Sequence, residues 1–188
     1  MSGFAAKQRA TYADLLKVPD HLVGEIVDGE LIVSPRPSIR HAAASSALGV
    51  DLGGAFGRQG GPGPGGWIIL DEPELHIVDQ ILVPDLAGWR RERLPRLPDA
   101  AFMELRPDWV CEVLSPATIA FDRTRKTHHY AAAGVEHQWF VDPIAETLEV
   151  YRLDGGGWRL VASVAGQTKL RADPFEAMEL DLANLWTS

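Results

Sequence analysis

The chain has 188 residues, a net charge of −8, and 46% hydrophobic and 23% charged residues; this excludes a largely disordered protein and suits a single domain that buries roughly 70% of its unfolded surface without staples. The single cysteine, Cys111, excludes an intrachain disulfide framework and a cysteine-rich zinc site, and no apolar run approaches the ~20 residues of a membrane span. A soluble cytoplasmic protein is expected, and its acidity weighs against tight, sequence-blind nucleic-acid binding, which draws on a basic footprint.

Residues 1–10 are small and polar; they read as a disordered start without the apolar core of a secretory signal, and residues 11–188 as one domain. Thr11 to Lys17 opens on a capping residue and has leucines on one helical face, ending at Val18-Pro19-Asp20. Leu22–Val27 and Glu30–Val33 flank Asp28-Gly29, a strong hairpin signal. Ile39 to Phe56 carries apolar residues on a helical period, with many small residues suited to close packing on a sheet. Gly57 to Gly66 holds six glycines and two prolines and reads as a flexible loop, because the order of a phosphate-binding fingerprint is missing.

Strands are expected at Trp67–Leu70, Glu74–Val78, Ile81–Trp89 and Trp109–Leu114. Ser115-Pro116 then breaks the chain before a second long helix from Ala117 to Ala133, closed by Gly134. Gln138–Val141 is another apolar strand, and Thr147–Leu153 with Trp158–Val164 forms a hairpin around Asp154-Gly155-Gly156-Gly157. The order predicts a single α/β domain: a mixed sheet flanked by helices, with an amino-terminal and a carboxy-terminal hairpin.

Two acids stand out. Asp85 falls inside Ile81–Trp89 and Glu112 inside Trp109–Leu114, both otherwise apolar. Carboxylates are disfavoured in strands and rarely buried without a partner. A bound cation would offset their repulsion and satisfy their oxygens; separate pairing of each acid with an arginine or a backbone N–H would serve equally well at this point. Side-chain alternation puts Glu112 and Leu114 on one face and leaves the Val113 carbonyl near the same place as a neutral ligand. Oxygen-only ligation suits Mg²⁺ or Mn²⁺ and not zinc. On the following helix, Asp122, Lys126 and Tyr130 are spaced four apart on one face. Lys126 is then either a solvated partner of Asp122 or a cation aimed at the sheet, and the short Ser115-Pro116 break favours the second.

These residues carry a resemblance. Pro84-Asp85, then Pro107-Asp108-Trp109-Val110-Cys111-Glu112-Val113-Leu114-Ser115-Pro116, then Asp122, Lys126, Tyr130, Gly134-Val135 and Trp139-Phe140-Val141-Asp142-Pro143 resemble the Uma-type restriction-endonuclease family of the PD-(D/E)XK nuclease superfamily. The hairpin Glu25 to Leu31, with Ser34-Pro35 and His41, is similar to the family's amino-terminal signature, so the match runs from about Tyr12 to Leu153. Each motif is weak alone; their order and spacing are specific.

The resemblance implies a restriction-endonuclease-like fold and divalent-metal-dependent cleavage of DNA phosphodiesters. It makes Asp85, Glu112 and Lys126 the catalytic core, and Asp85, Glu112, the Val113 carbonyl and Glu25 the ligands of Mg²⁺ or Mn²⁺, with His41 and Tyr130 as auxiliaries. The chain departs from the superfamily at Leu114, where a lysine usually stands; the resemblance moves that role to Lys126. It departs again at Gly134-Val135-Glu136-His137-Gln138-Trp139, where the family pattern has Pro-Glu-Tyr before the tryptophan. DNA contact is expected to be weak, salt-sensitive and metal-dependent, through Arg90, Arg91, Arg93, Arg123 and Arg125, although charge runs are usually solvated faces. A homodimer is compatible with the resemblance.

Other candidates are poorer. His128 and His129 point apart on a helix, Ser115 lacks nucleophile-elbow glycines, and Cys111 sits in an apolar strand as inert core. Two rival functions stay open: a catalytically silent binding module on the same fold, which the missing in-strand lysine favours, and a metal-dependent phosphohydrolase with a substrate other than DNA.

Overall fold

The structure is a computed structural model that describes residues 8–57 and 63–186. Most of the expected disordered start and the middle of the glycine loop lie outside the described residues. Within them, Ala10 is already tied down: its N–H donates to the Gly29 carbonyl at 2.8 Å.

Helix α1 (Tyr12–Leu15) starts from a capping box between Thr11 and Asp14. Strands β1 (Leu22–Val27) and β2 (Glu30–Pro35) form the expected hairpin, with Asp28 at φ 55° and Gly29 at φ 77°, as a two-residue turn between twisted strands requires. Helix α2 (Ile39–Leu52) buries His41, Ala44, Leu48 and Leu52, one stripe at helical spacing, and runs into a π-helical turn at Gly53–Gly57.

Seven strands then build the middle of the molecule: β3 (Trp67–Asp71), β4 (Leu75–Ile77), β5 (Gln80–Leu82), β6 (Leu86–Arg90), β7 (Trp109–Val113), β8 (His137–Asp142) and β9 (Thr147–Asp154). β10 (Gly157–Ala165) completes the carboxy-terminal hairpin, and β11 (Lys169–Leu170) pairs with β12 (Leu180–Asp181) before a short 3₁₀ turn at Leu182–Leu185. A main sheet has the order β10-β9-β8-β7-β6-β3, and a smaller one the order β2-β1-β5-β4. In the main sheet β7 and β8 run parallel, and the other ladders among the described residues are antiparallel. Parallel strands need a crossover, and residues 119–133 supply it: α3 (Ile119–Phe121), a π-helical turn (Asp122–Lys126) and α4 (Thr127–Ala133), stopped by Gly134 in the left-handed region.

The central strand β7 is buried throughout and covered on both faces. Trp109, Cys111 and Val113 face α2 and the carboxy-terminal segment, packing with Leu48, Trp139 and Phe175. Val110 faces the other way, into a second cluster with Trp89, Tyr130 and Val135. Strand alternation puts Glu112 on this second face, toward the crossover helix.

One expectation needs correction. Ile81–Trp89 is not one strand: β5 ends at Leu82 in the small sheet, and β6 starts at Leu86 in the main sheet. Pro84 lies in the break, where it cannot donate a ladder hydrogen bond. Asp85 therefore sits at the seam between the sheets and not in the middle of a strand.

Candidate active site

The seam opens a cleft of about 70 Å³ lined by Glu25, His41, Asp85, Glu112, Asp122 and Lys126, among others. Five segments deliver these groups, Glu112 from β7 among them. Glu25 comes from β1, and Asp85 precedes β6, which pairs antiparallel with β7 from Leu86 opposite Cys111. One step further along that ladder Asp85 stands across from Glu112. His41 extends from the first turn of α2, and Asp122 and Lys126 lie at the two ends of the π-turn.

Lys126 is the hub. Its Nζ donates to the Val83 carbonyl at 2.9 Å and lies 2.9 Å from Glu112 Oε1, 3.1 Å from Glu25 Oε1 and 3.8 Å from Asp122 Oδ1. Glu25 Oε1 also accepts the Val83 N–H at 2.8 Å, and Glu112 Oε1 accepts the Tyr130 hydroxyl at 2.7 Å. Among the described residues no hydrogen bond is made to Oε2 of either glutamate. Asp85 Oδ2 accepts the Val113 N–H at 2.7 Å, and Oδ1 lies 3.2 Å from His41 Nε2.

The π-turn explains how the helix aims three groups at one place. In an α-helix a step of four residues overshoots a turn by about 40°, so Asp122, Lys126 and Tyr130 would drift round the axis. A π-turn holds roughly 4.4 residues per turn, so its four-residue step falls short by about 30°. The two errors nearly cancel and keep all three side chains in one column.

The electrostatics follow from burial. Glu112 is 2% exposed and Lys126 3%. Burial pushes the Glu112 carboxyl well above its usual range; Lys126 pulls against that, and Asp122, Asp85 and Glu25 add to the rise. Burial works against the Lys126 ammonium, but Glu112 and Glu25 outweigh it and hold the group charged, well above its ordinary value. Asp122 is raised by burial, against the pull of Lys126 and a hydrogen bond with Thr118. Burial lowers His41, but Asp85, the Val113 backbone and Asp122 outweigh it and raise the imidazole. The Tyr130 hydroxyl is pushed up by burial and then by Glu112.

The structure thus brings together Glu25, Asp85, Glu112, Lys126, His41, Tyr130 and the Val113 backbone. It does not bring the five arginines. Arg90, Arg91 and Arg93 lie at or beyond the far end of β6, roughly 15 Å of strand away. Arg90 covers the Trp67 ring, Arg91 donates to the Gly57 carbonyl and Arg93 pairs with buried Asp108. Arg123 grips Glu149 through both terminal nitrogens, at 2.8 and 2.9 Å, and Arg125 bonds Asp28 and the Val27 carbonyl. Asp122, by contrast, belongs to the cleft and was not among the expected site residues. Its signal was present: an acid one helical step from Lys126 on the same face.

Oxygen donors are what a hard divalent cation requires, and the cleft supplies them with a surplus of negative charge and one unbonded oxygen each on Glu25 and Glu112. The donor set therefore fits Mg²⁺ or Mn²⁺. Among the described residues no group of three His, Cys, Asp or Glu side chains is drawn together closely enough to hold a metal as it stands; Lys126 lies between the carboxylates.

A mixed sheet, a crossover helix and acids meeting a lysine at the strand ends define the restriction-endonuclease-like class. A model of the family described as "Uma2: Putative restriction endonuclease" matches residues 10–183, and the chain belongs to that family. Among solved structures it is similar to one titled a "putative nuclease belonging to DUF820" from Anabaena variabilis, with a TM-score of 0.76, 23% identity, and coverage of 94% of this chain and 97% of that one. That likeness speaks for the fold. No curated protein matches the chain.

Proposed function

We propose that the chain is a divalent-metal-dependent endonuclease that hydrolyses DNA phosphodiester bonds at this cleft. The observation that carries the reading is that Glu25, Asp85 and Glu112 line one solvent-open cleft, with the two glutamates on a single buried ammonium. Family membership supports it, as does the nuclease title of the structural neighbour.

Glu25, Asp85, Glu112 and the Val113 carbonyl would hold the ion. When bound, a divalent cation lowers the pKa of an attacking water and offsets charge on the phosphate. The protein's part is to place the groups. The Tyr130 hydroxyl occupies Glu112 Oε1 and leaves Oε2 to the cleft, while the Val113 N–H and His41 fix Asp85. Lys126 sits beside the carboxylates, where an ammonium orients the water or offsets charge in the transition state. A water needs about 10–15 Å³ of such cavity volume, so a cleft of about 70 Å³ admits an ion with several waters. The phosphodiester would lie across its mouth. With the five arginines committed elsewhere, contact with DNA would be weak and salt-sensitive.

Supercoiled plasmid incubated with the purified chain should be nicked with Mg²⁺ or Mn²⁺ and left intact with EDTA. Glu112→Gln and Asp85→Asn should each lower nicking by at least about 100-fold. Nicking that survives either change sinks the assignment. Plasmid bound but uncut in both metals points to a silent module, and cleavage of a small phosphodiester alone points to a different hydrolase.

A further inference from the structure

An ammonium has three N–H donors, and those of Lys126 face three acceptors at hydrogen-bond distance: the Val83 carbonyl, Glu112 Oε1 and Glu25 Oε1. Nothing is left over for a water or a phosphate. It meets one oxygen, Oε1, of each carboxylate, and a cation on the other oxygen would stand close to this ammonium, so the two positive charges compete for the same pair of glutamates. Asp122 Oδ1 stands 3.8 Å away, beyond a hydrogen bond but in the same column of the helix, and the residue is 4% exposed. A buried ammonium or carboxylate that loses its partner is costly, so any cation that takes the glutamates must leave Lys126 another anion nearby.

We propose that Lys126 and the divalent cation compete for Glu25 and Glu112, and that Asp122 is the positioning residue that receives the Lys126 ammonium once those carboxylates are taken. The inference rests on the reading of the cleft as a divalent-cation site. It accounts for two features together: the described acids are not drawn up for a metal as they stand, and a further buried acid adjoins the lysine without bonding it closely. In the ion-free chain Lys126 serves as the resident cation. Ion uptake frees its donors, and Asp122 keeps the ammonium at the cleft.

The test is Mn²⁺ affinity, measured by calorimetry on the full chain. Lys126→Met removes the competitor and should tighten binding about tenfold, whereas Asp122→Asn removes the acceptor and should weaken it about tenfold. In a Lys126→Met background, Asp122→Asn should then change nothing, because the two act through one interaction. Weakened or unchanged affinity in Lys126→Met overturns the proposal. So does an Asp122→Asn loss that persists in that background, which would make Asp122 a ligand.

Lys126→Met leaves buried carboxylates without a counter-charge, so a second measurement uses the wild-type chain. It has four lysines, of which Lys17 and Lys169 are exposed. In ¹⁵N-lysine spectra the Lys126 ammonium signal should move on adding Mg²⁺, and should exchange with solvent faster in loaded Asp122→Asn than in the loaded wild type. Mg²⁺ uptake with an unmoved Lys126 signal overturns the competition alone. A chain that takes up neither ion overturns the cleft reading and this proposal with it.

Discussion

Glu112 is held on one side only. Tyr130 and Lys126 both meet Oε1, so the hydroxyl decides which oxygen faces the cleft. Tyr130→Phe keeps the ring in its buried place and removes that bond alone. It should cost about 1–3 kcal/mol of stability and weaken Mn²⁺ binding about tenfold, measured by thermal melting and calorimetry. Away from the cleft, burial holds His137 below the ordinary histidine value, against Asp173 Oδ2 at 3.1 Å from its Nδ1. As pH falls below about 6.5 the unfolded chain takes up this proton before the folded one does. The unfolded state then binds more protons, so stability falls with pH in that window and is unaffected above it. His41 is shifted the other way, so the measurement is a difference: melting temperature between pH 7.5 and 5 should drop less in His137→Phe than in the wild type. At this scale the sequence made the acids legible, because Asp85 and Glu112 stand out in apolar runs and Lys126 follows on a helix. Asp122 shares a helix face with Lys126 in the sequence but is not singled out there, since spacing alone cannot tell a buried face of a helix from an exposed one.

The elements matter through their ends. Pro84 stops β5 from continuing into β6, which lets one chain segment serve two sheets and turns Asp85 into the seam. A run as apolar as Ile81-Leu82-Val83 followed by Leu86-Ala87 reads as one strand, because periodicity is blind to which sheet pairs with each half. The hairpins were legible, since Asp28-Gly29 and Gly155-Gly156 have the positive φ values such turns demand. The π-turn was not, as it depends on packing over the sheet and leaves no composition signal. Arg125, inside that turn, binds the hairpin through Asp28, Glu30 and the Val27 carbonyl, and so fixes the hairpin that carries Glu25. Its carboxylate contacts are partly exposed, which limits their worth to about 1 kcal/mol. Arg125→Ala should lower the melting temperature by roughly 2–4 °C and weaken Mn²⁺ binding, while the salt dependence of DNA binding stays unchanged.

For the whole molecule, two sheets meet over a charged seam, and an apolar core packs on either side of β7. A net charge of −8 is compatible with this, because acids gathered at one cleft are an asset to a cation site. The basic residues do not compensate: Arg93, Arg123 and Arg125 are bound to acids of the same chain. Charge runs in a sequence do not reveal their partners, and so these arginines looked available. Among the described residues no helix is long and apolar enough to cross a membrane. The most direct test of the account is the position of Mn²⁺ in crystals grown with the ion, read from its anomalous scattering. The expected result is a peak in the cleft, bonded to oxygens of Glu25, Asp85 or Glu112, with Lys126 no longer on both glutamates. A cleft without a peak, and Lys126 still bridging Glu25 and Glu112 at saturating Mn²⁺, would contradict it.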